Sequence, residues 1–145
     1  MSEPLRVSAG RPVVIDSSVA FKWFDASEPG ASVADSLLRE HQRDEVALLA
    51  PALLLAEVVN VLVSRCTPVA DVERAIGFLT DVDLLIAPVN AELLVSAAQI
   101  ASAEGIALYD ATFIALAALL DAELVTADRR QAATGACRVR FVGDS

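Results

Sequence analysis

Four carboxylates in this chain stand where surface acids rarely stand. Asp16 ends the apolar run Val13-Val14-Ile15 and is followed by Ser17-Ser18. Asp128 follows a second apolar run in ELVTADRR, and Asp110 opens DATFIALAALL, which is almost wholly apolar. Glu57 lies inside LLLAEVVNVLV, with only Asn60 and Ser64 as polar company. Each has an ordinary explanation when taken singly. Aspartate is a preferred helix N-cap, and a negative charge is favoured at the positive end of a helix. Glu57, Asn60 and Ser64 fall at i, i+3 and i+7, a narrow polar stripe that suits water as well as a cleft. Taken together they suggest chemistry. Two carboxylates about 4 Å apart repel by roughly 4 kcal/mol at an effective dielectric of 20. A group of them must stay partly protonated or gather cations. Hard divalent ions such as Mg²⁺ take oxygen ligands, activate water and steady an in-line displacement at phosphorus.

The elements that must position these acids are legible as alternating patterns. Short runs rich in Val, Ile and Leu predict strands at 12–15, 46–49, 84–86, 124–126 and 139–142. Helical patterns lie between them: a short one at 18–24, then 31–43, 52–65, 68–80, 90–104, 110–121 and 128–133. Pro51 and Pro68 suit first helical turns, while Asn90 and Gly105 bracket the fifth helix as cap and stop. Strands alternating with helices imply an α/β fold, a mostly parallel twisted sheet of about five strands. The strands are apolar throughout rather than alternating, which predicts helices on both faces. In such a sheet the C-terminal ends of the strands share one edge with the starts of the helices that follow, and ligands bind there. Asp16 and Asp128 are carried to that edge by their own strands. Asp110 opens a helix leading into the fourth strand, so its start lies on the same edge. Glu57 joins them if its stripe faces the cleft.

Bulk properties narrow the classes. The 145 residues suit one domain, with a core at about 12–142. At 55% hydrophobic the chain is neither disordered nor fibrous, and the apolar excess predicts at least a dimer. The longest apolar run, 46–56, is broken by Pro51 and falls short of the roughly 18 residues a spanning helix needs. The N-terminus has no apolar signal core, so a cytoplasmic location is expected. Cys66 and Cys137 are expected to be free thiols. His41 is the only histidine and reads as an ordinary exposed residue of a polar helix. That excludes the usual Ser-His-Asp and Cys/His zinc arrangements and leaves catalysis to oxygen ligands. Asp35, Glu40, Asp44, Glu45, Asp71, Glu73, Asp81, Asp83, Glu92, Glu104, Asp121 and Glu123 read as solvated surface.

These residues resemble the motifs of PIN-domain ribonucleases, most closely the VapC toxins of type II toxin–antitoxin pairs. VIDSSV looks like the first motif and gives Asp16 as a metal ligand, with Ser17 or Ser18 beside it. AEVVNVL gives Glu57, with Asn60 one turn on. YDATFIALA gives Asp110, and LVTADRR gives Asp128 with Thr126 as a supporting hydroxyl. Where some relatives carry a further acid just after the fourth motif, this chain has Arg129 and Arg130. The resemblance implies cleavage of RNA phosphodiesters with Mg²⁺ or Mn²⁺ held by Asp16, Glu57, Asp110 and Asp128, leaving a 3′-hydroxyl and a 5′-phosphate. It also implies a homodimer and an antitoxin that inserts a basic segment into the acidic site, its apolar part docking on the helices at 31–43 and 52–65.

The net charge of −9 runs against a nucleic-acid partner when taken alone. Bound cations would offset part of it locally, and Lys22, one helix from Asp16, and Arg129, Arg130, Arg138 and Arg140, which cluster near Asp128, are the candidates to touch RNA phosphates. Other classes fit less well. A haloacid-dehalogenase-type phosphatase needs a second Asp two residues after its nucleophile, where this chain has Ser18. A receiver domain needs a Lys after a late strand, and Lys22 is the only one. A PIN-like module without catalysis, or a PIN nuclease outside any toxin pair, remains the alternative.

Overall fold

The computed structural model describes residues 10–143. Strand β1 (Arg11–Ile15) lies at the centre of a five-stranded sheet in which every neighbouring pair is parallel. β2 (Val46–Pro51) and then β3 (Leu85–Ala87) lie to one side of it, β4 (Glu123–Thr126) and then β5 (Val139–Phe141) to the other. Val13, Val14 and Ile15 are all fully buried. Successive residues of a strand point to opposite faces, so both faces of β1 are covered, as continuous apolar strands require.

The covering helices follow in chain order. α1 (Ser17–Phe21) runs into a 3₁₀ turn at Lys22–Phe24, and α2 (Ala31–Gln42) leads to β2. α3 (Leu53–Ser64) and α4 (Val69–Asp81) lie between β2 and β3. α5 (Ala91–Glu104) and α6 (Leu108–Leu119) lie between β3 and β4, and α7 (Arg129–Ala132) precedes β5. α6 is the core helix. Residues 111–117 are all buried, and α6 packs on β1, β2 and β4 as well as on α5. The chain bends by 115° between α5 and α6, around Gly105 in the left-handed conformation (φ 66°). No single helix among the described residues is long and apolar enough to cross a membrane.

Three helix-to-strand connections share one device. Asp44, Asp83 and Asp121 follow α2, α4 and α6, each with positive φ and exposed. Asp tolerates that conformation because its short polar side chain can bond locally. These acids are on the surface, as expected, but they also turn the chain. Gly30 has φ 81°, and any β-carbon there would lie 2.2 Å from the Val142 carbonyl oxygen. Only glycine lets α2 begin against the end of β5.

The structure corrects two expectations away from the sheet edge. His41 is not an ordinary surface residue. Its Nδ1 accepts the Leu48 N–H at 3.1 Å, and its Nε2 lies 2.9 Å from the Val82 carbonyl oxygen. β3 pairs with β2 only from Leu49 onward, so the Leu48 N–H just ahead of it is completed by the imidazole. The ring thereby joins α2, β2 and the turn before β3. The second concerns the basic residues. Arg138 donates to the Asp121 carbonyl at 2.8 Å, and Arg140 donates to Glu123 Oε1 at 2.8 Å. Both are drawn toward the start of β4, at the edge opposite its C-terminal end. Glu123, expected to be plain surface, is thus half-buried under Arg140 with Arg11 at 3.7 Å. Cys66 and Cys137 are free thiols.

His41→Leu should leave the Leu48 N–H and the Val82 carbonyl without partners and destabilise the protein by about 1–3 kcal/mol. Urea unfolding of the two proteins checks this, and an unchanged midpoint would mean that water replaces the ring at no cost.

Candidate active site

β1 and β4 are adjacent, yet the chain leaves β1 for β2 and β3 on one side and only then crosses back to β4 on the other. This is the place where strand order reverses, the point at which open α/β sheets bind their ligands. Ile15 pairs with Val125, so Asp16 and Thr126 come level at the two strand tips.

Asp16 is 4% exposed and caps α1. Its Oδ1 accepts the Val19 N–H at 3.2 Å and the Ser18 hydroxyl, and its Oδ2 lies 3.0 Å from Thr126 Oγ1. Ser18 Oγ also accepts the Ala127 N–H at 3.0 Å, which ties the β1 tip to the loop after β4. Asp128 caps α7 through the Arg130 N–H at 2.8 Å, and its own N–H donates to Thr126 Oγ1 at 3.0 Å. For Asp16 and Asp128 the capping role and the place at the edge therefore coexist. Asp110 is different. α6 begins at Leu108 with Ala107 as its cap, so Asp110 lies inside the first turn and its side chain caps nothing. Glu57 is half-buried in α3, and Ser17 Oγ reaches its Oε1 at 3.5 Å. Asn60, one turn on, is exposed and makes no hydrogen bond with its side chain among the described residues.

Electrostatics joins the four acids more clearly than contact does. Burial raises the Asp16 carboxyl to about 6, against the opposing hydrogen bonds and with a smaller push from Asp128. Burial also raises Glu57 to about 7, assisted by the charges of Asp110 and then Asp16. Asp110 is raised by burial and then by Asp128, and lowered by Arg130. The charges thus link the four acids in a closed ring: Asp128 acts on Asp16 and on Asp110, and both of these act on Glu57. Among the described residues no three Asp, Glu, His or Cys side chains form a ready-made ligand cage. The arrangement is a shared negative field with hard oxygen donors on four elements. It suits a small, hydrated, divalent cation, which keeps several waters and binds carboxylates directly or through them.

Around this ring the expected cations divide. Lys22 is only 4% exposed, so it is not a surface contact for phosphate. The Arg129 guanidinium stacks on the Phe141 ring at 5.2 Å. Arg130 is exposed, and its charge is the one that acts on Asp110. Two residues of the site carry no signal in the sequence strong enough to single them out. Ser18 was visible beside Asp16 but indistinguishable from Ser17. Gln131, in a short surface-like helix, is 1% exposed and bonds to both Thr126 and the Asp110 backbone.

The raised carboxyls set the sign of the pH dependence. Asp16 and Glu57 titrate higher in the fold than their ordinary values of 3.8 and 4.5, so the folded state holds protons more tightly than the unfolded chain. That advantage is complete below about pH 4 and is lost as pH rises to about 7. In EDTA the melting temperature should therefore fall between pH 5 and pH 8, and Asp16→Asn should flatten the fall. Asp110→Asn should leave the metal-free melting temperature unchanged or raise it, because the side chain caps no helix. Differential scanning calorimetry checks both, and a metal-free protein that gains stability over that pH range would contradict the ring.

The sequence profile of the family described as the PIN domain matches residues 13–136. No curated protein matches the sequence. Solved structures share the fold at low identity. PAE2754 from Pyrobaculum aerophilum is 21% identical with a TM-score of 0.64, the match covering 90% of this chain and 91% of that one. The toxin–antitoxin complex from Klebsiella pneumoniae gives 15% identity and a TM-score of 0.69, with 92% and 99% covered. Mycobacterium tuberculosis VapC20, described as a toxin that cleaves the sarcin-ricin loop, gives 18% and 0.68, with 90% and 97% covered. The profile runs from β1 through α7 and takes in all four acids at the sheet edge, and with it the chain belongs to the PIN-domain family.

Proposed function

We propose that the protein is a divalent-metal-dependent endoribonuclease and the toxin of a toxin–antitoxin pair. The observation that carries this reading is the closed ring of four acids at the switch point of the sheet, two of them held near neutrality, with burial as the largest cause and mutual repulsion added to it. Such a ring is costly unless something positive completes it. Asp16, Glu57, Asp110 and Asp128 would hold one or two Mg²⁺ or Mn²⁺ ions, directly or through waters. Bound there, the ion supplies a Lewis acid for a phosphoryl oxygen and an activated water.

The chain's own residues supply positioning. Ser18 and the Val19 N–H hold one oxygen of Asp16 in place. Ser17 orients Glu57, and Thr126 links the Asp16 and Asp128 turns. Arg130 is exposed beside Asp110 and suits a phosphate of the substrate backbone. RNA as substrate class is supported by the PIN-domain membership and by the fold shared with a toxin that cleaves the sarcin-ricin loop.

An antitoxin partner fits two features. The net charge of −9 favours a basic segment, and a groove of about 460 Å³ offers an apolar seat. Phe21, Trp23, Phe24, Leu62 and Phe78 line that groove, with Arg65, Arg74, Asp25 and Asp71 among its polar residues. It uses the end of α3 and the face of α4. No residue of α2 lines it. A homodimer fits the exposed apolar residues Leu94 and Val95 on α5 and Leu108, Tyr109, Leu119 and Leu120 on or beside α6.

Incubating the purified protein with total RNA and Mn²⁺ and mapping new 5′ ends tests the reading. Cleavage should require the ion and stop in EDTA. Asp16→Asn should lower it by about 10²- to 10³-fold while the fold persists. Equal cleavage by that variant would reject the assignment.

A further inference from the structure

Gln131 is a deeply buried amide that the sheet-edge acids do not account for. It is 1% exposed, and both ends of its amide are occupied. One end lies 3.1 Å from the Asp110 carbonyl oxygen, the other 2.7 Å from Thr126 Oγ1. A carbonyl can only accept, so the end facing Asp110 must be the NH₂ group. The amide oxygen therefore faces Thr126 and must accept from it. Thr126 has a single hydroxyl proton, and two acceptors stand within reach: Gln131 Oε1 at 2.7 Å and Asp16 Oδ2 at 3.0 Å. Asp16 also accepts from Ser18 and the Val19 N–H through its other oxygen, whereas the buried amide oxygen has no other donor among the described residues. The hydroxyl oxygen meanwhile accepts the Asp128 N–H at 3.0 Å. The one proton is therefore contested by two acceptors, and the shorter contact is the one to Gln131.

We propose that Gln131 is a positioning residue that holds the Thr126 hydroxyl proton away from Asp16, so that the inner oxygen of that carboxylate stays open to a cation. The Asp110 carbonyl orients the amide, the amide orients the hydroxyl, and the hydroxyl decides what Asp16 presents. Without the amide, the Thr126 hydroxyl turns onto Asp16 Oδ2 and competes with the metal for that oxygen. This role rests on the metal-dependent reading above and adds a residue to it.

Calorimetric titration of the full-length protein with Mn²⁺ alone tests the role without relying on RNA cleavage. Gln131→Leu should weaken Mn²⁺ binding by about 10- to 100-fold, as loss of an outer partner of a ligand does. In a Thr126→Val background the same substitution should change binding by less than about twofold, because the rotor it controls is gone. The metal-free melting temperature of each variant is measured beside it, and Gln131→Met serves if Gln131→Leu does not fold. Wild-type affinity in the folded Gln131 variant overturns the proposal, and so does an equal loss in both backgrounds. Failure of both Gln131 variants to fold also overturns it, in favour of a purely structural side chain. No Mn²⁺ binding by the wild-type protein would instead bring down the metal-dependent reading itself, and this role with it.

Discussion

Repulsion among carboxylates at one edge of a parallel sheet is the constraint on which the rest of this structure turns. β1 and β4 deliver Asp16 and Asp128 to neighbouring tips because the sheet order places those strands side by side. α6 brings Asp110 to the same edge in its first turn, and α3 brings Glu57 from its interior. None of these elements can be moved independently. α6 is buried along 111–117 against β1, β2 and β4, and the β1 residues before Asp16 are wholly enclosed. The core therefore enforces a proximity that the charges oppose. Burial and mutual charge keep Glu57 near 7 and Asp16 near 6.

The polar groups around the ring share the work of holding it. Ser18 bridges Asp16 and the Ala127 N–H; Thr126 stands between Asp16, Asp128 and Gln131. No buried side-chain nitrogen or oxygen among the described residues lacks a hydrogen-bond partner. Satisfaction of this kind is what a low-dielectric setting demands, and it leaves the carboxylates as the groups with capacity to spare. The basic residues are mostly spent elsewhere: Arg140 on Glu123, Arg138 on Asp121, Arg65 on Asp25 and the Phe21 ring. The site is left acidic, apart from Arg130 at its margin.

Much of this was legible in the sequence, and the reason is physical. Buried parallel strands need continuous apolar runs, which mark β1, β2 and β4; the half-buried edge strands β3 and β5 show as shorter runs, and the order of the strands places Asp16 and Asp128 at one edge. What stayed hidden depends on partners far apart in the chain. His41 looks like a polar helix residue until β2 and the turn before β3 fold against it, with Val82 41 positions away. Gln131 looks like helix surface until α6 comes alongside, with Asp110 21 positions away. The sequence places the start of α6 two residues late, because Asp110 resembles a cap and Leu108-Tyr109 resembles the end of a loop. That small shift matters, since a residue inside the turn has its carboxylate free for other duties. The apolar groove beside Trp23 and Phe78 had no local pattern at all, being assembled from the 3₁₀ turn, α3 and α4.

Counting the protons released when the metal binds tests the central claim most directly. If the ring is completed by a divalent cation, adding Mn²⁺ must drive off protons that Asp16 and Glu57 hold near neutrality, more at pH 6 than at pH 8. Calorimetry in buffers of different ionisation enthalpy measures that release. Binding with proton release that fades toward pH 8 is the predicted result. Binding with no proton release at pH 6 would mean that the acids do not share one field.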